Sequence, residues 1–164
     1  MRILVFLHGT TIMQSAGAGK TREVRVRQSA ERDPSVLAYE SYIPIDHAAE
    51  KLTSWEQQGA EIMYLSSHES EADMEKDRVV LRRFHFPDGP IRYRERWQSY
   101  RDIVEEVIPD VVIEDDCESI GGAKEMATTF LEPHIQQRVR SVVIKEFQGI
   151  DHLPDRIDAL RSMQ

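Results

Sequence analysis

Three short apolar runs in this sequence each end on a group that can do chemistry. Arg2-Ile3-Leu4-Val5-Phe6 passes through Leu7 into His8-Gly9-Thr10. Ile62-Met63-Tyr64-Leu65 ends at Ser66-Ser67, and Val111-Val112-Ile113 at Glu114-Asp115-Asp116. An imidazole at His8 transfers protons near neutral pH. It is also a ligand for Zn²⁺ or Mn²⁺, whereas Mg²⁺ prefers oxygen. Asp115 and Asp116 supply carboxylates of the kind Mg²⁺ takes. Hydroxyls at Ser66 and Thr10, the Gly9 turn and the guanidinium of Arg101 together make a phosphate cradle, since paired N–H donors and charge suit that anion. Ser67 and His68 fall at its rim. Each group has a plainer alternative: a histidine bonded to its own turn, acids at a helix N-terminus, an arginine in solvent.

These groups act together only if the elements bring them together. Buried strands that alternate with helices read as a parallel α/β sheet. In such a sheet the carboxyl ends of neighbouring strands share one edge, where ligands bind. His8, Ser66 and Asp115 are therefore expected at one crevice. His8 and Asp115 are the expected catalytic groups. Gly9, Thr10, Ser66, Ser67 and Arg101 are expected to bind the ligand, and Asp115 and Asp116 a metal ion.

The order of these features resembles the haloacid dehalogenase-like (HAD-like) superfamily of phosphohydrolases. Gly9-Thr10 match the end of the family's first motif, Asp-x-Asp-Gly-Thr. Ser66 matches the second motif, Arg101 the third, and Asp115 with Asp116 the fourth. The resemblance spans about residues 1–120. It implies a three-layer α/β/α Rossmann-like domain with a mostly parallel five-stranded sheet. It also implies Mg²⁺ and a phosphorylated small-molecule substrate. One departure matters for activity. Phe6 stands at the position of the family's nucleophilic aspartate and His8 at that of its acid/base aspartate. The sequence thus implies either a phosphohydrolase with a non-standard site or an inactive relative that binds a ligand or a protein.

Bulk properties bound the remaining choices. The chain has 164 residues, with 21 Lys plus Arg against 29 Asp plus Glu and a net charge of −8. This length predicts one domain, 1–164, that buries roughly 70% of its unfolded surface. The acidic balance argues against a general nucleic-acid binder. No apolar run approaches the roughly 20 residues of a membrane span. The sole cysteine, Cys117, excludes an intrachain disulfide and, with no signal-peptide pattern, predicts a cytoplasmic protein. Acidic neighbours make Cys117 a packed residue rather than a nucleophile.

Between the first strand and residue 44 the pattern is irregular. Val24 and Val26 alternate with Arg25 and Arg27, which predicts a strand. Val36–Tyr42 would return beside it, giving a small β-flap insertion at about 11–44. Ala16-Gly17-Ala18-Gly19-Lys20-Thr21 is not a phosphate loop, because Gln14 replaces the required first glycine. Asp46 is expected to cap a helix to Gln58, with Ala48, Leu52 and Trp55 on one face. Residues 70–82 predict a helix. Ser99 and Asp102 form a capping-box pattern before Ile103, Val104 and Val107. Ser141–Ile144 predicts the last strand, and Asp155–Ser162 a terminal helix.

Overall fold

The computed structural model describes residues 1–163. Its centre is β1 (Arg2–Phe6), which is apolar on both faces. Ile3, Val5 and Leu7 point to one side; Leu4 and Phe6 point to the other, as strand alternation requires. Both faces are covered. The chain continues through β2 (Ile12–Met13), α1 (Arg22–Ala30) and β3 (Ile43–Pro44). Next come α2 (Ala48–Gln57), β4 (Glu61–Leu65), α3 (Glu71–Arg83) and β5 (Ile91–Arg92). Then follow α4 (Tyr100–Val107), β6 (Val111–Asp115), α5 (Pro133–Gln136), β7 (Arg140–Ile144) and α6 (Ile157–Leu160).

Five strands form one parallel sheet in the order β5-β4-β1-β6-β7. Leu52 and Trp55 of α2, Val80 and Leu81 of α3, and Leu160 of α6 pack on one face. Ile103, Val104 and Val107 of α4, with Ile135 of α5, pack on the other. The three-layer α/β/α arrangement is thus present. The sequence direction reverses on either side of β1, so the strand ends at β1, β4 and β6 open a crevice there. No helix among the described residues is long and apolar enough to cross a membrane.

The insertion after β1 carries the expected small flap, built from other strands than the sequence pattern predicts. It contains a small antiparallel pair, but its strands are β2 and β3, with Ile12 opposite Pro44 and Met13 opposite Ile43. Val24 and Val26 lie in α1, and Val36–Tyr42 runs through two short 3₁₀ turns. The reason is local. Thr21 Oγ1 accepts the Val24 N–H at 3.4 Å and starts a helix, and no residue of α1 is buried. With no buried face, the Val–Arg alternation has no sheet to obey. Lys20, just before this helix, is exposed.

Smaller corrections follow the same logic. Asp46 does not cap α2; it has a positive φ of 49°, and the N-cap is His47. The terminal helix is only Ile157–Leu160. The capping box of α4 is present, with Ser99 and Asp102 bonded reciprocally. The helix expected over 70–82 is α3, capped by Ser70.

Candidate functional site

Register places the first pair of groups. β1 and β4 run parallel from Arg2 opposite Glu61 to Phe6 opposite Leu65. Continued two residues, that spacing sets His8 beside Ser67, and His8 Nδ1 is hydrogen-bonded to Ser67 Oγ. His8 Nε2 lies 2.8 Å from Asp77 Oδ1. The other oxygen of Asp77 accepts the Ser66 hydroxyl at 2.5 Å. Ser67 is exposed, His8 half-buried and Asp77 fully buried. Four side chains from three elements thus form a continuous chain, Ser67–His8–Asp77–Ser66.

Asp77 is a carboxylate in the apolar stripe of α3, between Met74 and Val80. Burial raises its pKa. The neighbouring His8 and His68 imidazoles and the hydrogen bond from Ser66 outweigh that and hold the carboxyl well below the usual range. An ionised carboxylate only accepts hydrogen bonds. It therefore keeps a proton on His8 Nε2 and leaves the Nδ1 lone pair facing Ser67. His68 crowds the same group: its Nε2 is 3.5 Å from Asp77 Oδ1, buried and without a hydrogen-bond partner. The Tyr39 ring lies parallel to His8 at 5.7 Å, so the flap contributes to this wall.

A second set of groups stands on the other side of β1. Thr10 Oγ1 donates to Asp115 Oδ2 at 2.8 Å, and the Cys117 N–H to Asp115 Oδ1 at 2.9 Å. Burial raises the pKa of Asp115 despite these bonds. Glu146, just beyond β7, accepts the Ser119 hydroxyl at 2.6 Å and the Ser119 N–H at 2.7 Å. Burial, together with the charges of Asp115 and Asp116, outweighs the Ser119 bonds and pushes Glu146 up to about 7. Gly9 makes this approach possible. Its φ is +81°, and a Cβ there would lie 3.0 Å from Asp115 Oδ2 and 3.2 Å from Glu146 Cγ.

His8, Gly9, Ser67, Asp115 and Glu146 line one cavity of about 180 Å³. The Phe6 ring forms part of its wall and meets Tyr100 edge-on at 5.0 Å. No lysine or arginine lines this cavity among the described residues. Thr10 and Ser66 are fully buried behind it and hold the acids Asp115 and Asp77. Arg101 is elsewhere. With Arg94 and Lys124 it lines a neighbouring depression that shares only Tyr100 with the crevice. The expected cradle of Ser66, Gly9-Thr10 and Arg101 is therefore not assembled.

Asp116 is also turned away. It receives Lys145 Nζ at 2.9 Å and the Glu146 N–H at 3.1 Å, and opens on a separate depression. Asp115 and Asp116 thus do not converge, and β1 offers an aromatic ring where a third oxygen would stand. This donor set does not make the octahedral oxygen cage of Mg²⁺. Glu114 points to the opposite face and binds the backbone of Ala127 and Thr128. Burial and the surrounding acids raise the Cys117 pKa and keep it a thiol. Its carbonyl accepts the N–H groups of Ile120, Gly121 and Gly122.

Two residues of this site escaped the sequence reading. Glu146 follows a parallel strand as His8 and Ser67 do, and the same rule applied to β7 finds it. Asp77 is signalled by a charge at an apolar position of a helical stripe.

No family model matches the sequence, and no curated protein matches it either. Solved structures do resemble its fold. A chain of the Pnkp1/Rnl/Hen1 complex superimposes with a TM-score of 0.56 at 13% identity, over 88% of this chain and 46% of that one. A chain of the Pnkp1/Rnl/Hen1 RNA repair complex gives 0.52 at 12%, over 88% and 42%. This chain thus spans less than half of either. The class C acid phosphatase from Bacillus anthracis with tungstate bound gives 0.54 at 11% identity, over 90% of this chain and 68% of that one. These likenesses show a shared fold, the three-layer Rossmann-like one described above.

Proposed function

We propose that this chain binds a phosphorylated small molecule in the crevice and hydrolyses its phosphate ester with a site that lacks the family's aspartate nucleophile. The observation that carries this reading is His8. It stands at the end of β1, opens on the cavity, and is held by a buried carboxylate at 2.8 Å. A group so held is oriented for proton transfer. Asp115 and Glu146 on the opposite wall supply carboxyls whose burial favours the protonated form. Glu146, pushed up to about 7, in that form donates a hydrogen bond to a phosphoryl oxygen instead of repelling it. Arg94, Arg101 and Lys124 add positive charge next to the crevice. A class C acid phosphatase of similar fold has tungstate, a tetrahedral oxyanion, bound, which agrees with an oxyanion as the kind of ligand.

A second reading has its own support. Phe6 puts a ring where the family attacks phosphorus, which fits a protein that binds a phosphorylated ligand without turnover. Release of p-nitrophenol from p-nitrophenyl phosphate, measured beside calorimetric binding of inorganic phosphate, separates the two. Hydrolysis is expected in the wild type and its loss in His8→Ala. Binding without hydrolysis selects the second reading. Absence of both rejects a phosphate site. Because binding needs a protonated Glu146, affinity is expected to rise as pH falls from 8 to 6. Each proton taken up changes affinity about tenfold per pH unit. Affinity independent of pH would remove Glu146 from the anion site.

A further inference from the structure

We propose that Ser67 is the nucleophile of this site, activated by His8, with Asp77 as the residue that positions His8. The inference rests on the phosphate-ester reading above and names the atom that does the attacking. Three observations meet here. Ser67 is exposed and lines the cavity. Its Oγ is bonded to His8 Nδ1, and the opposite ring nitrogen is bonded to Asp77. Asp77 is anchored from behind by Ser66. A nucleophile bonded to a base, and that base bonded to an orienting acid, is the geometry that activates serine on unrelated folds. The nitrogens are exchanged relative to the common arrangement, with Nδ1 toward serine, but either nitrogen can take the proton.

The arrangement also answers the problem posed by Phe6. The family's nucleophile leaves from β1; here the reactive oxygen leaves from the adjacent β4, one strand away on the same crevice. A serine that merely capped a turn would not need a buried carboxylate two bonds behind it.

Ser67 Oγ forms a bond to phosphorus while the bond from phosphorus to the ester oxygen breaks. The Ser67 proton passes to His8 Nδ1, and Asp77 stabilises the imidazolium. The departing oxygen takes the carboxyl proton of Glu146, which lies beyond β7 on the far side of β1. In the second half water attacks phosphorus and gives its proton to Glu146. The bond between phosphorus and Ser67 Oγ breaks, and Ser67 recovers its proton from His8. Ester and water become alcohol and inorganic phosphate, with no oxidant or further reactant.

The test uses the whole chain and p-nitrophenyl phosphate. Acid quenching during turnover, followed by peptide mass spectrometry, is expected to find a phosphoryl group on Ser67. A phosphoserine survives hydroxylamine, whereas an acyl phosphate on an aspartate does not. Ser67→Ala is expected to lose more than a hundredfold in turnover and keep its binding of inorganic phosphate; the residue is exposed, so the fold is retained. Asp77→Asn is expected to lower kcat more than it raises KM and to displace the His8 limb of the pH profile. Turnover in Ser67→Ala within a few fold of wild type, with His8→Ala inactive, overturns Ser67 and leaves the phosphatase reading standing. No turnover in the wild type overturns both. Stoichiometric Zn²⁺ in the purified wild type that His68→Gln loses also overturns the proposal. His8, His68 and Asp77 have ligand atoms within 4.8 Å of one another, and a metal ion there would take the His8 nitrogen that the proposal gives to Asp77.

Discussion

At the scale of single residues, two positions carry more of the site than their side chains suggest. Gly9 holds a left-handed turn against Asp115 and Glu146. Gly9→Ala must strain that turn and push one acid away. It is expected to lose roughly 1–3 kcal/mol of stability, read as a lower urea midpoint, and to weaken phosphate binding. A wild-type midpoint would mean that the turn yields freely. Asp77 makes a different demand. It is fully buried, and its low pKa depends on two imidazoles and a hydroxyl rather than on a lysine or arginine. Asp77→Asn keeps the shape but turns one accepting oxygen into a donor facing Ser66. The expected cost is about 1–3 kcal/mol at pH 7, and the variant should lose the wild type's added instability toward acid. An unchanged acid limb in Asp77→Asn would show that Asp77 is not the group that titrates.

At the scale of elements, what could be read from sequence depended on whether an element has a buried face. β1, β4 and β6 are apolar because the sheet is covered on both sides there, and β7, at the edge with Val143 exposed, still shows a short apolar run; these patterns name the strands directly. α4 is legible twice, in its Ser99–Asp102 capping box and in Ile103, Val104 and Val107. That cap also places Tyr100 against Phe6. Ser99→Ala should therefore cost about 1 kcal/mol, with an unchanged denaturant slope; a neutral effect would assign the stability of α4 wholly to its packing. α1 is the opposite case. None of its residues is buried, so tertiary packing left no period in the sequence, and Val24-Arg25-Val26-Arg27 imitates a strand. β5 has only two residues and pairs through backbone bonds with β4, too short a run to show alternation. For the site itself, the strand ends were legible, while convergence was not. Arg101 and Asp116 lie near the expected places in sequence, but one faces a neighbouring depression and the other pairs with Lys145. Orientation about a helix or beyond a strand end is decided by such partners, not by spacing.

At the scale of the molecule, the crevice divides its acids into two classes with opposite effects on stability. On the β4 side Asp77 is held ionised, and folding gains from its charge. On the β6 and β7 side, burial raises the pKa values of Asp115 and Glu146. A carboxyl whose folded pKa exceeds its unfolded value binds more protons folded than unfolded between the two values. Stability then falls as pH rises through that window. For Glu146 the window runs from 4.5 to about 7. Asp77 acts at the other end: its contribution is present above its unfolded value of 3.8 and disappears as pH falls below it. The two classes together place the stability maximum on the acidic side of neutrality. Glu146→Gln tests the alkaline limb of this curve. The amide can accept the Ser119 N–H and donate to the Ser119 hydroxyl, so both contacts survive without a charge. The shift, from 4.5 to about 7, corresponds to at most about 3–4 kcal/mol. Glu146→Gln should accordingly be more stable than wild type at pH 8, by no more than this, and no more stable at pH 4. Urea midpoints measured at both values decide the matter. Equal midpoints at pH 8 would mean that Glu146 is already compensated there, and its place as the proton donor of the crevice would fall with it.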